Sequence, residues 1–222
     1  MSSVPSKMNG EAIPGDEGAL RAPDPEVEKE YVRRCLAVEF HDDEEVRTFR
    51  SEPDFSRVLQ PLNSSEFDKA IREGNDLALK YPDFDLIFRW LAIAYRQNGQ
   101  LDEAERVLLR GLATSKRKVL LLTELGDTEW QRHDVDSALY WLAQAIHCAN
   151  PVGYMAYLLT SYIARGRGFE EAADTLTARA DTLTTDPLRL SPELEARLMD
   201  EASRGHAFGM AMVIQGLSSS LT

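Results

Sequence analysis

Two cysteines in 222 residues, Cys35 and Cys148, are too few and too far apart for a disulfide framework, a redox pair or a metal-ligand spacing. Long apolar runs are also missing. The longest, Ala207 to Ile214, falls well short of the roughly 18 residues that cross a bilayer. The stretch Met1 to Gly15 holds one lysine and no apolar segment, so it does not read as a signal peptide, and a cytoplasmic location is expected. Basic residues are outnumbered, 25 against 37 acidic, for a net charge of −12. Phosphate backbones and anionic membranes need clustered Lys and Arg, so neither nucleic-acid binding nor membrane insertion is expected. The one basic run, Lys116-Arg117-Lys118, reads as a solvated turn between helices. Catalytic signatures are absent too. The four histidines, His41, His133, His147 and His206, are scattered, and no zinc-protease, nucleophile-elbow or phosphate-loop motif occurs. No enzyme activity, metal or cofactor is therefore expected.

What the sequence does have is a period. Ala70, Ala104, Ala138 and Ala172 recur every 34 residues. Leu108, Leu142 and Leu176 hold the same phase, as do Leu91, Leu125 and Leu159. Three columns sharing one interval indicate a structural repeat of helix pairs. Within each unit the apolar positions fall three and four apart, which places them on one helical stripe. Turn residues punctuate the units at Asn98-Gly99-Gln100, His133-Asp134 and Gly166-Arg167-Gly168.

These residues resemble the tetratricopeptide repeat. The first unit reads Phe88, Leu91, Ala92, Tyr95, Ala104, Leu108; the second Leu122, Leu125, Gly126, Ala138, Leu142, Ala145; the third Ala156, Leu159, Ala172, Leu176. Glu129 departs from the pattern where Tyr is usual, Thr160 where a small residue is usual, and Lys116 where Pro is usual. The resemblance implies an all-α fold, a right-handed α-solenoid of antiparallel helix pairs with N- and C-terminal capping helices. Three full repeats and a degenerate half-repeat would occupy residues 65–182.

The resemblance also implies a function. The first helix of each unit lines a groove that receives a peptide or helix from another protein. Residues off the packing stripe should face it. In the first unit these are Leu86, Arg89, Ile93, Arg96 and Gln97. The second offers Thr123, Asp127, Trp130 and Gln131, and the third Tyr154, Tyr157, Ser161 and Arg165. For Trp130 and Tyr157, packing against the neighbouring repeat is an equal reading. Tetratricopeptide co-chaperones clamp a C-terminal carboxylate, but Ile93 stands where their clamp Asn would be. The expected function is an adaptor, scaffold or assembly factor. Alternatives are a self-associating subunit of a homo-oligomer or hetero-complex, or a protein similar to secretion chaperones.

Outside the repeats, residues 1–25 are expected to be a disordered extension, rich in Gly, Pro and acidic residues. In 26–64, residues 26–39 read as an amphipathic helix that covers the first repeat. Pro53 and Pro61 leave little room for a regular helix over 51–64. Ser65-Glu66-Phe67-Asp68 reads as a capping box. Within 183–222, helices are expected from Pro192 to about Ser203 and from about His206 to Gln215. The Phe208–Ile214 group is either a cap or a docking surface.

Overall fold

Apolar residues spaced three and four apart give helices wherever the computed structural model describes the chain: residues 53–148 and 153–183, with Pro192 and Ala196. Eight helices form among the described residues, with no strand. They are α1 (Pro53–Asn63), α2 (Phe67–Lys80), α3 (Asp85–Gln97), α4 (Leu101–Thr114), α5 (Val119–Gln131), α6 (Val135–His147), α7 (Tyr154–Gly166) and α8 (Glu170–Asp181). Pro192 and Ala196 are helical and exposed. The expectations for 1–25, for 26–39 and for the Phe208–Ile214 group lie outside the described residues.

Helix α1 overturns the expectation that its prolines forbid it. Pro53 is the first helical residue, where its missing N–H has no intrahelical partner to lose. Pro61 lies in the last turn, so only one ladder bond is forfeited. The Pro61 carbonyl in turn accepts the Glu66 N–H at 2.8 Å. Val58 and Leu62 bury the apolar stripe. Ion pairs of Arg57 with Glu73 and of Asp54 with Lys80 tie α1 to α2, and the Tyr81 hydroxyl donates to Asp54 at 3.1 Å. The segment α1/α2 is thus a packed pair rather than half of one.

The expected capping box at Ser65 does not form. Ser65 has φ 59° and closes α1, while Glu66 stands at the N-cap of α2 without a side-chain cap bond. The same turn recurs along the chain. Ser65, Gly99, His133 and Gly168 all have positive φ. At each, two backbone bonds close the preceding helix in the Schellman pattern. Gly99 donates to Arg96 and Gln100 to Tyr95, both at 2.9 Å. His133 donates to Trp130 at 2.8 Å and Asp134 to Glu129 at 3.0 Å.

These turns expose a slip in the period. Helices α3 and α5 start at Asp85 and Val119, but α7 starts at Tyr154, one residue late. The final turn is likewise at Gly168 rather than 167. The alanine column therefore passes through Ala70, Ala104, Ala138 and Ala173, each fully buried, whereas Ala172 is only partly buried. With this register Ser161, not Thr160, stands at the small position of Ala92 and Gly126, and the departure noted at Thr160 disappears.

Chain-adjacent helices pack pairwise, and α1, α3, α5 and α7 also contact one another in succession. Close approach depends on glycine. A Cβ on Gly126 would lie 2.6 Å from Leu142 Cγ, and one on Gly111 would lie 2.7 Å from Phe88 Cγ. Helix α5 contributes to two apolar clusters. Leu120, Leu121 and Leu125 join α1–α4, and Val119, Leu122 and Trp130 join α6–α8.

Burial differs sharply between alternate helices. In α4 only Ala104, Val107, Leu108 and Gly111 are buried, a single stripe. In α3 every residue from Asp85 to Ala94 is buried, and in α7 every residue from Tyr154 to Ala164. Helix α5 is buried from Val119 to Gly126 and again from Thr128 to Trp130. Helices α3, α5 and α7 are therefore buried over most of their length, whereas α1 keeps Ser56, Arg57 and Gln60 exposed.

Candidate partner-binding face

The residues expected to line a groove fall on α3, α5 and α7, and most are enclosed. Arg89 is 2% exposed, Arg96 7%, Trp130 2% and Tyr157 8%. Ile93 and Tyr154 are also buried. Asp127 and Arg165 keep partial access.

Two arginines on α3 converge on one carboxylate. Arg89 and Arg96 are seven residues apart, two helical turns, so both project toward α5. Arg89 Nε donates to Glu124 Oε1 at 2.6 Å. Arg96 Nη2 lies 2.6 Å from Glu124 Oε2 and 2.9 Å from Asp127 Oδ2. Arg96 Nη1 donates to the Glu124 carbonyl at 3.1 Å and to Thr128 Oγ1 at 3.4 Å. Burial pushes the Glu124 carboxyl up, but the Arg96 and Arg89 guanidiniums outweigh it and hold it below its ordinary value. The arginines are consequently joined to the neighbouring unit instead of pointing into open solvent.

Similar links repeat along the chain. Arg117 bonds Asp85 at 2.8 Å, so the basic run is only partly the solvated turn expected of it; Lys116 and Lys118 are exposed. Burial pushes the Asp85 carboxyl up, against the opposing pull of Arg117. Arg132 joins Glu105 and Asp102, both at 2.7 Å, and Glu129 at 2.8 Å. Glu129 replaces the Tyr of the pattern and is held by Arg132, whereas Tyr95 in the preceding unit accepts a bond from Asn75 at 2.9 Å. Arg165 pairs with Asp174 at 2.7 Å and Glu170 at 3.3 Å on α8.

The one-residue slip changes which α7 residues share the face. Counting from the helix starts, Leu86, Leu120 and Met155 are equivalent, as are Arg89, Thr123 and Leu158. Ile93, Asp127 and Tyr162 follow, then Arg96, Trp130 and Arg165. Tyr157 instead takes the register of Phe88 and Leu122 on the packing stripe, and Tyr154 that of Asp85 and Val119. Met155, Leu158 and Tyr162 escape a strict 34-residue count. Gly168 as the turn residue and Ala173 beside Ala172 were the signals that could have revealed them. Glu124 was missed as well, although it is the one acid within the run Val119–Gly126.

The face is apolar, with its charges matched internally. Among the described residues no group of three His, Cys, Asp or Glu side chains could hold a metal ion, and no helix is long and apolar enough to cross a membrane. His147 Nδ1 lies 2.7 Å from the Ala143 carbonyl, and Cys148 is exposed. Comparison of the chain with protein-family models, curated proteins and solved structures returns no match.

Proposed function

We propose that the chain is a tetratricopeptide-type right-handed solenoid, an adaptor or assembly factor that holds an apolar helix or extended peptide of another protein. The observation that carries this reading is the face on α3, α5 and α7. Leu86, Ile93, Leu120, Trp130, Met155 and Leu158 share its register, and its arginines are neutralised by Glu124 and Asp127. A face of that kind selects an uncharged, apolar segment, and a buried Trp is the side chain most often found at the energetic centre of an interface. The reading is of binding without catalysis, because the charged groups of the face are committed to ion pairs, Arg89 and Arg96 with Glu124 and Asp127 of the next unit and Arg165 with Glu170 and Asp174 of its own.

The test is cross-linking of the full chain to proteins that co-purify with it, followed by mapping of the linked residues. Links at Gln97, Asp127, Gln131 and Arg165, the accessible margin of the face, are expected. Links confined to the exposed Leu79, Leu109 and Tyr140 on the outer helices would reject it.

A further inference from the structure

The turn inside a unit also reaches back to the unit before it. Just ahead of the left-handed residue stands Asn98 in the α3–α4 turn and Arg132 in the α5–α6 turn. Asn98 Nδ2 donates to Asp68 Oδ1 at 3.1 Å, and Arg132 Nη2 donates to Asp102 Oδ1 at 2.7 Å. Both contacts span 30 residues, and each acceptor is the second residue of an outer helix, α2 or α4. One joint is thus closed by a cation and the other by a neutral amide.

The amide is the chemically weaker link, because Gly99 follows it. With no side chain on Gly99, the backbone nitrogen is open to the Asn98 carboxamide. Nothing lies within 4 Å of where a Gly99 Cβ would stand, and both residues are exposed to water. We infer that Asn98 is a deamidation site, and that its conversion to a carboxylate unlocks the α3–α4 turn from α2. The Gly99 nitrogen gives its proton to water and bonds to Asn98 Cγ, the Cγ–Nδ2 bond breaks, and ammonia leaves. Water then adds to either carbonyl of the five-membered imide and opens it to aspartate or isoaspartate. One water is consumed, one ammonia is released, and nothing is oxidised or reduced. Position 98 loses its donor and gains a negative charge facing Asp68, so an attraction becomes a repulsion.

The fold sets the rate. Imide closure needs the Gly99 nitrogen eclipsed with Asn98 Cβ about the Cα–C bond, whereas ψ of 7° eclipses it with the Asn98 nitrogen. Turning it breaks the bonds from Gly99 to Arg96 and from Gln100 to Tyr95, both 2.9 Å, that close α3. The folded chain therefore reacts through a local opening of this turn.

The experiment incubates the full chain in mildly alkaline buffer, with and without urea. Peptide mapping by mass spectrometry follows position 98 and, as an internal reference, Asn9 of the chain's other Asn-Gly pair. In urea both should convert at similar rates. Without urea, conversion at 98 should slow by about tenfold or more relative to urea, since two backbone bonds must open. Equal rates at 98 with and without urea, or no conversion there once Asn9 is exhausted, overturn the inference. The consequence is read separately. Asn98→Asp should lower the thermal midpoint by about 1–4 °C. In a chain carrying Asp68→Asn the same change should cost nothing, because amide and carboxylate have exchanged roles. An unchanged midpoint for Asn98→Asp, or an equal fall in both backgrounds, overturns the unlocking.

Discussion

Arg96 of α3 holds Glu124 of α5 twice, through Nη2 to the carboxylate at 2.6 Å and through Nη1 to the backbone carbonyl at 3.1 Å. The contact spans 28 residues of sequence and fixes one unit against the next at both side chain and backbone. Arg89 completes it from two turns earlier. Breaking such a buried group on one side strands the charges that remain.

Glu124→Gln should therefore destabilise the chain by about 3–5 kcal/mol, because the buried Arg89 and Arg96 guanidiniums lose the carboxylate they share and Asp127 stays beside Arg96 alone. Replacing Arg89, Glu124 and Arg96 together by Met, Leu and Met should recover much of that loss, since buried ion groups often exchange for apolar ones without penalty. Urea denaturation of the two variants checks this. A triple variant no more stable than Glu124→Gln would show that the network contributes more than matched charge.

Acid should weaken the same link. The folded Glu124 carboxyl lies below the ordinary Glu value of 4.5. Its contribution is thus fully present above that value and is lost as pH falls through the lower folded one. Asp85 acts in the opposite sense, because its raised folded value makes its contribution decline as pH rises. Midpoints of denaturation measured from neutral pH into the acid range should show a steeper fall for the wild type than for Glu124→Gln.

Helix crossing at Gly126 should tolerate no added methyl. Its Cβ would meet Leu142 Cγ at 2.6 Å and the Ala138 carbonyl oxygen at 3.2 Å. Gly126→Ala should cost about 1–3 kcal/mol through overpacking. In a double-mutant cycle with Leu142→Ala the two losses should be less than additive, since the second change makes room for the first.

The recurrent left-handed turn gives a reciprocal pair. His133 is exposed at φ 64°, and Gly99 at φ 73° has open space where a Cβ would stand. A side chain in this region costs roughly 1–2 kcal/mol, partly offset by about 0.4–1 kcal/mol from the stiffer unfolded chain. His133→Gly should therefore stabilise, and Gly99→His destabilise, each by up to about 1 kcal/mol. Thermal midpoints moving the same way in both variants would contradict the turn geometry.

Much of the helix arrangement was legible because it is local. The phase of Ala70, Ala104 and Ala138 reports helix pairing directly, and Gly99 and Gly168 mark turns through a conformation that glycine adopts readily. The prolines misled because their effect depends on position. Pro53 and Pro61 sit at the two ends of α1, where a missing N–H matters little. One additional residue before α7 was equally hard to read, since an adjacent pair, Ala172 and Ala173, satisfies either count.

The candidate face divides along the same line. Sequence alone determined that Arg89, Ile93 and Arg96 lie together on one side of a helix, because 3.6 residues per turn places them there. Only the tertiary structure decided that the arginines turn inward to Glu124 and that the helix bearing them is buried over most of its length. The counter-charge lies 28 and 35 residues away on another helix, a separation that no local periodicity encodes.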